Sequence, residues 1–170
     1  MIELYAADRF FVLTGGPGSG KTTLLDRLVQ SGFATTGEAG RGVIKDQAAI
    51  GGPALPWADR QLFAELMLSW EMRSYRHAQQ QDGVVVFDRG IPDVLGYLRL
   101  CGLSVPAHVS AAAERFRYNR WVFIAPPWPE IFEQDSERRQ DLDEAERTYE
   151  VMVDTYTGLG YELVTSATAG

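Results

Sequence analysis

LTGGPGSGKTTLLDRL, residues 13–28, decides how this chain is read. Four glycines, Gly15, Gly16, Gly18 and Gly20, fall within six residues, and Lys21, Thr22 and Thr23 follow at once. The run RFFVLTG before them reads as a short buried strand. Residues 21–31 after them read as an amphipathic helix closed at Ser31-Gly32. Gly15 to Thr22 thus satisfies G-x-x-x-x-G-K-[ST] in the context that spacing requires, between a strand and a helix. Glycine lets the backbone bend tightly and brings amide N–H groups against an anion with no Cβ in the way. Those donors, together with the exposed N–H groups of the following helix, form a concave nest for phosphate. Gly15, Gly16, Pro17, Gly18, Ser19, Gly20, Lys21, Thr22 and Thr23 are therefore the expected nucleotide-binding residues. Lys21 is expected to set its ammonium beside the β- and γ-phosphates, and Thr22 to offer its hydroxyl to Mg2+. The dinucleotide fingerprint G-x-G-x-x-G fails, because its third glycine would fall at Thr23.

The second informative stretch is GVVVFDRG, residues 83–90. A continuous apolar run between glycines has the pattern of a central parallel strand buried on both faces. It places Asp88 at the strand's C-terminal end, the edge where open parallel sheets bind ligands. There Asp88 can organise Mg2+ or accept the proton of an attacking hydroxyl. It can instead cap the helix that begins near Ile91-Pro92. Arg89 offers a fork of donors to a substrate anion or hydroxyl.

Further strands are expected near 34–36, 121–125 and 161–165, beside those at 10–14 and 84–88. A long helix is expected from an N-cap at Asp59 to about Gln81, with others near 92–101, 106–118 and 142–158. GGPALPWADRQ, with its prolines and glycines, reads as a loop. Strands alternating with helices imply one α/β domain over residues 1–170, a parallel sheet with helices on both faces. After the last strand only ATAG follows, too little for a covering helix.

Acceptor-side candidates lie between the second strand and the long helix. Glu38 and Arg41 follow that strand, and Trp57 and Arg60 stand in the loop and helix after it, with Phe63 and Met67 beyond. An aromatic beside an arginine suits a planar ring with a polar handle, although Phe63 and Met67 also fit a core. A lid is expected at about 127–142, within PPWPEIFEQDSERRQDLDEAER. Its Arg138 and Arg139 can neutralise a transferring phosphoryl group, or pair with Glu137, Asp141 and Asp143 on a solvated face.

The formal net charge of −7 argues against a general nucleic-acid binder. Cys101 is the single cysteine, which suits a reducing compartment, and it reads as a small hydrophobe. His77 and His108 have no clustered cysteine or histidine, so zinc is not expected. MIELYAADRFFVL lacks the pattern of a signal peptide, and no apolar run approaches the ~20 residues of a membrane span, so a cytoplasmic protein is the expectation. A GTPase switch would need glycine where Ile91 stands, and an N-K-x-D reader that the sequence lacks. A ring-forming motor needs a second helical domain, for which 170 residues leave little room.

Taken together, GGPGSGKTT, GEAGR at 37–41, DRGIPDVLGYLRLCG at 88–102, PPWPEIFEQDSERRQ at 126–140 and the closing GYELV resemble the AAA-type "predicted ATPase" family of P-loop NTPases. That family is related to ribosylnicotinamide kinase and, more broadly, to nucleoside and nucleotide kinases. The resemblance implies the three-layer P-loop NTPase fold with strand order 2-3-1-4-5, binding ATP and Mg2+. By the same resemblance Lys21 and Thr22 take the Walker A roles, and Asp88 and Thr22 the metal. Arg89, Glu38 and Arg41 fall on the acceptor side, and Arg138 and Arg139 are the lid arginines. The expected function is transfer of a γ-phosphoryl group to a small nucleoside-like hydroxyl acceptor. The alternative is a nucleotide-gated regulatory NTPase with slow hydrolysis.

Overall fold

The computed structural model describes residues 7–16, 19–127 and 136–165, with the backbone alone at 136–140. Strand β1 (Phe10–Gly15) is the axis of the sheet. Its side chains alternate as a strand's must, so Phe10 and Val12 enter one buried layer and Leu13 the other. Strands β2 (Ala34–Thr35), β3 (Val85–Asp88), β4 (Trp121–Ala125) and β5 (Glu162–Thr165) complete a parallel sheet of order β2-β3-β1-β4-β5. This is the expected order. The register sets Leu13 opposite Asp88 and Gly15 opposite Ala125, so the loop after β1 leaves from the same edge as the end of β3.

Six helices connect the described strands: α1 (Lys21–Gln30), α2 (Ala39–Ile50), α3 (Arg60–Gln79), α4 (Ile91–Leu100), α5 (Ala107–Arg115) and α6 (Ser136–Gly158). The two layers are unequal. Leu24, Leu25 and Leu28 of α1 pack on Leu13, Val86 and Phe123. The other face carries the larger core, where α3, α4, α5 and α6 close over Phe10, Val12, Val85, Phe87 and Val122. Its centre is aromatic: Phe10 meets Tyr75 at 5.1 Å and Phe87 at 5.2 Å, and Tyr118 meets Phe87 at 5.1 Å. Each such side chain, fully buried, contributes about 1.5–3 kcal/mol. Tyr75 and Tyr118 carry their hydroxyls to backbone partners. Tyr75 donates to the Arg117 carbonyl at 2.6 Å, and Tyr118 accepts from the Ile91 amide at 3.1 Å.

Helix α3 begins as its cap residue dictates, with the Asp59 side chain accepting from the Leu62 amide at 3.1 Å. Helix α2 is a departure from the sequence expectation, which held no helix there. Its sequence AGRGVIKDQAAI carries two glycines, each a poor helix former. Packing overrides propensity: a Cβ at Gly42 would stand 2.2 Å from the Trp70 ring, so glycine is what lets α2 approach α3. A second departure concerns the lid. Residues 136–142 of that stretch form the start of α6, six residues earlier than the helix expected from 142. The stretch 128–135 lies outside the described residues, as does the ATAG end.

Candidate active site

Glycine is required where β1 ends. Gly15 has φ +150°, and a Cβ there would stand 2.8 Å from the Ala125 carbonyl oxygen of β4. Gly16 passes against Thr148 of α6, and Ser19 is buried. Gly20 takes the left-handed φ of 77° at the N-cap of α1, where no side chain caps the helix and no acid occupies the first turn. The free amides of that turn are therefore left for an anion. Thr22 and Thr23 stand exposed in the same turn, whereas Lys21 is buried. Pro17 and Gly18 lie outside the described residues.

The Lys21 ammonium forms an ion pair with Asp88 Oδ1, the two side chains being 7% and 15% exposed. Asp88 is held at its place by the backbone, its amide donating to Thr36 Oγ1 at 3.2 Å. It does not cap the following helix. That cap is made by Asp93, whose Oδ2 accepts from the Gly90 amide at 2.9 Å. Asp93 is itself buried and accepts from Thr14 Oγ1 and the Tyr156 hydroxyl, each at 2.5 Å. One carboxyl so ties β1, the turn after β3 and α6. Burial, then Asp93, pushes the Tyr156 phenol well above its ordinary range, so it stays a donor. Between Asp88 and Gly90, Arg89 has φ 70°, the one non-glycine in the left-handed region among the described residues. Its amide still donates to the Leu13 carbonyl at 3.0 Å, so the turn is pinned to β1.

A cleft of about 510 Å³ opens beside this turn, walled by α3 and α4 and bordered by α2 and α6. Glu38, at the N-cap of α2, spends its carboxyl on two guanidinium groups, Arg41 at 3.3 Å and Arg89 at 3.4 Å. Arg41, Arg60 and Arg147 stand exposed around the mouth, and Arg60 also donates to the Pro56 carbonyl at 3.2 Å. Phe63 and Tyr97 meet edge to face at 5.4 Å and line the cleft with Met67. Trp57, 71% exposed, is not among the lining residues. Glu71 lines the floor at 2% exposure, and its Oε2 has no hydrogen-bond partner among the described residues. Burial above all, then the carboxylates of Asp93 and Asp88, pushes Glu71 well above 4.5. Arg89 pulls the other way, and Glu38 adds a smaller upward push. Arg138 and Arg139 fall on the first turns of α6, where the side chains lie outside the described residues.

Residues 10–169 match the profile of a family described as an AAA domain. The chain belongs to that family. The solved structures that share its fold include two that match nearly all of this chain. One is a NadR protein crystallised in complex with NR, at TM-score 0.66 and 16% identity, matching 99% of this chain and 46% of the other. The second is thymidylate kinase from Ehrlichia chaffeensis, at TM-score 0.58 and 16% identity, matching 95% of this chain and 93% of the other. This AAA-domain chain thus spans about half the length of the NadR chain and nearly all of the kinase. No match was found among curated proteins.

Glu71, Asp93, Tyr97, Arg147 and Thr148 were not legible as site residues of this AAA-domain chain. Asp93 carried a signal: an acid three residues after Gly90 and one after Pro92 is where a reciprocal helix cap sits. Glu71 carried a fainter one, as a charge on the stripe that runs through Phe63 and Met67. Among the described residues no helix is long and apolar enough to cross a membrane.

Proposed function

We propose that this AAA-domain protein transfers the γ-phosphoryl group of ATP to a hydroxyl of a small nucleoside-like acceptor bound in the cleft. The Lys21–Asp88 pair carries the reading, because it stands between the glycine-rich loop and the Arg89-Gly90 turn that lines the cleft. The fold shared with a NadR protein and a thymidylate kinase supports it. The amides at the start of α1 and Lys21 hold the phosphate chain. Asp88 takes the proton of the acceptor hydroxyl as its oxygen bonds to the γ-phosphorus and the bond from that phosphorus to the β–γ bridging oxygen breaks, leaving ADP. Arg89 and Glu38 orient the acceptor, and Arg41 and Arg60 border its entrance. Arg138 and Arg139, at the start of α6, act as the lid arginines. A lone cysteine fits a cytoplasmic setting.

Mg2+ suits the donors present, which are hard oxygens: the Thr22 hydroxyl would hold it directly and the Asp88 carboxylate through water. Among the described residues no group of three or more His, Cys, Asp or Glu could hold a metal unaided, which fits an ion shared with a triphosphate. When bound, it neutralises charge on the phosphate oxygens.

The test is Lys21→Ala, assayed for ATP turnover with and without a panel of nucleosides. Acceptor-dependent transfer is expected to fall about 10²–10³-fold with an unchanged circular dichroism spectrum. Full activity in the folded variant would remove the proposal. Wild-type turnover indifferent to every acceptor would favour the nucleotide-gated alternative.

A further inference from the structure

The inner end of the cleft holds more carboxyl than cation. Glu38, Glu71 and Asp93 line it and Asp88 stands alongside, facing Arg89 and Lys21. The cations are ion-paired, Lys21 with Asp88 and Arg89 with Glu38, and the buried Arg89 Nε makes no hydrogen bond among the described residues. Asp93 is satisfied by Thr14, Tyr156 and the Gly90 amide. Glu71 alone of these carboxyls keeps a buried oxygen without a partner. Such an atom is costly, and an apolar residue in its place would leave nothing unpaired. A ligand seated in the cleft can give that carboxyl the partner it lacks.

Helix α3 orders what that ligand meets. Arg60, Phe63, Met67 and Glu71 recur at three- and four-residue steps on one face and all line the cleft. At about 1.5 Å per residue, Met67 lies about 6 Å from Glu71 along the axis and Phe63 about 12 Å. A polar end fits at Glu71 and a flat apolar body fits along Met67 and the Phe63–Tyr97 pair.

We propose that Glu71 is the acceptor-selecting residue: its carboxyl hydrogen-bonds an uncharged polar group of the acceptor and admits a nucleoside in preference to a nucleoside monophosphate. The assignment rests on the phosphotransferase reading above. A phosphate at this end would sit beside the carboxylates of Glu38, Asp88 and Asp93, with Lys21 and Arg89 each already ion-paired to one of them, and like charges repel strongly where water is scarce. A neutral hydroxyl or amide meets no such penalty. Burial favours the protonated carboxyl, which donates as well as accepts. The charged groups facing it are Asp88 and Arg89 from the end of β3, Asp93 from α4 and Glu38 from α2. Glu144 and Arg147 of α6 and Arg41 and Arg60 line the cleft farther out.

The experiment compares the full chain with E71Q and E71L, measuring ATP affinity by calorimetry and acceptor KM for adenosine, guanosine, cytidine, uridine and the matching monophosphates. At least one nucleoside is expected to serve, with its monophosphate about 10-fold weaker or worse. E71L is expected to raise the acceptor KM about 10–100-fold with ATP affinity unchanged, while E71Q stays near wild type at neutral pH. Wild-type KM in E71L, or preference for monophosphates, overturns the assignment and leaves the phosphotransferase reading standing. Turnover that no acceptor stimulates overturns both. Should E71L fail to fold, E71M decides: its acceptor KM is expected to rise about 10–100-fold with ATP affinity unchanged, and E71Q to restore it. An acceptor KM in E71M equal to that of wild type overturns the assignment.

Discussion

Replacing Asp93 by alanine tests how the site is held together. The carboxyl is 7% exposed and accepts from Thr14 Oγ1 at 2.5 Å, the Tyr156 hydroxyl at 2.5 Å and the Gly90 amide at 2.9 Å. Alanine leaves two hydroxyls and one amide without their acceptor at the buried edge of the cleft. A buried donor left unpaired costs about 1–3 kcal/mol. The losses do not add fully, because a hydroxyl can rotate toward another acceptor, so about 3–5 kcal/mol is the expected total. For a chain of this size each kcal/mol moves Tm by about 2–4 °C, which gives a fall of about 6–20 °C. Calorimetry and urea unfolding measure it. D93N keeps one carbonyl oxygen as acceptor and is expected to recover about half of the loss. Y156F alone should cost about 1 kcal/mol, and close to nothing in the D93A background, since the bond it removes is already gone. D93A within about 1 kcal/mol of wild type, or D93A and Y156F effects that simply add, would refute the claim that one carboxyl ties the three elements.

Arg89→Gly relieves a left-handed residue at φ 70° and loses an ion pair of 3.4 Å, so stability is expected to stay within about 1 kcal/mol while acceptor-dependent turnover falls about 100-fold; thermal melts and steady-state assays check the split. Glu71 titrates above its ordinary 4.5 in the folded chain, so its protonation contributes stability that is complete below that pH and is lost as pH rises toward the raised value. The slope it adds is bounded by about 1.4 kcal/mol per pH unit, and E71Q is expected to remove it from a series of urea titrations across pH.

The fold was legible because its decisive signals are local. The glycine spacing after β1, the unbroken apolar run of β3 and the Asp59 cap each follow from the conformational limits of a few neighbouring residues. Helix α2 was hidden for the opposite reason. Two glycines make it a weak helix by propensity, and the Trp70 ring that explains Gly42 lies 28 residues along the chain. The site divides the same way. Gly15, Lys21 and Asp88 announced themselves by spacing. The Asp93 network joins residues 79 and 63 positions apart, and no sequence period records such a distance.

The turn Asp88-Arg89-Gly90 gathers more of the candidate site than any other segment, and the reason is topological. Strand β3 lies between β1 and β2, so its end is within reach of both the glycine loop and the start of α2. Asp88 reaches back to Lys21, and Arg89 reaches across to Glu38. With its amide bonded to Leu13 and its side chain paired with Glu38, Arg89 takes a left-handed backbone, a conformation costly in a non-glycine residue, and Asp93 fixes the next amide. On the proposed reading the same wiring couples the two substrates. A triphosphate competing for Lys21 releases Asp88 from its partner, and a freed carboxylate beside the cleft is the base an acceptor hydroxyl requires. ATP should therefore tighten the binding of a nucleoside, and by linkage the nucleoside should tighten ATP by an equal factor. Calorimetric titrations in both orders measure those factors, and K21A should bring both to unity. Coupling that survives in K21A would show that the two sites communicate by another route.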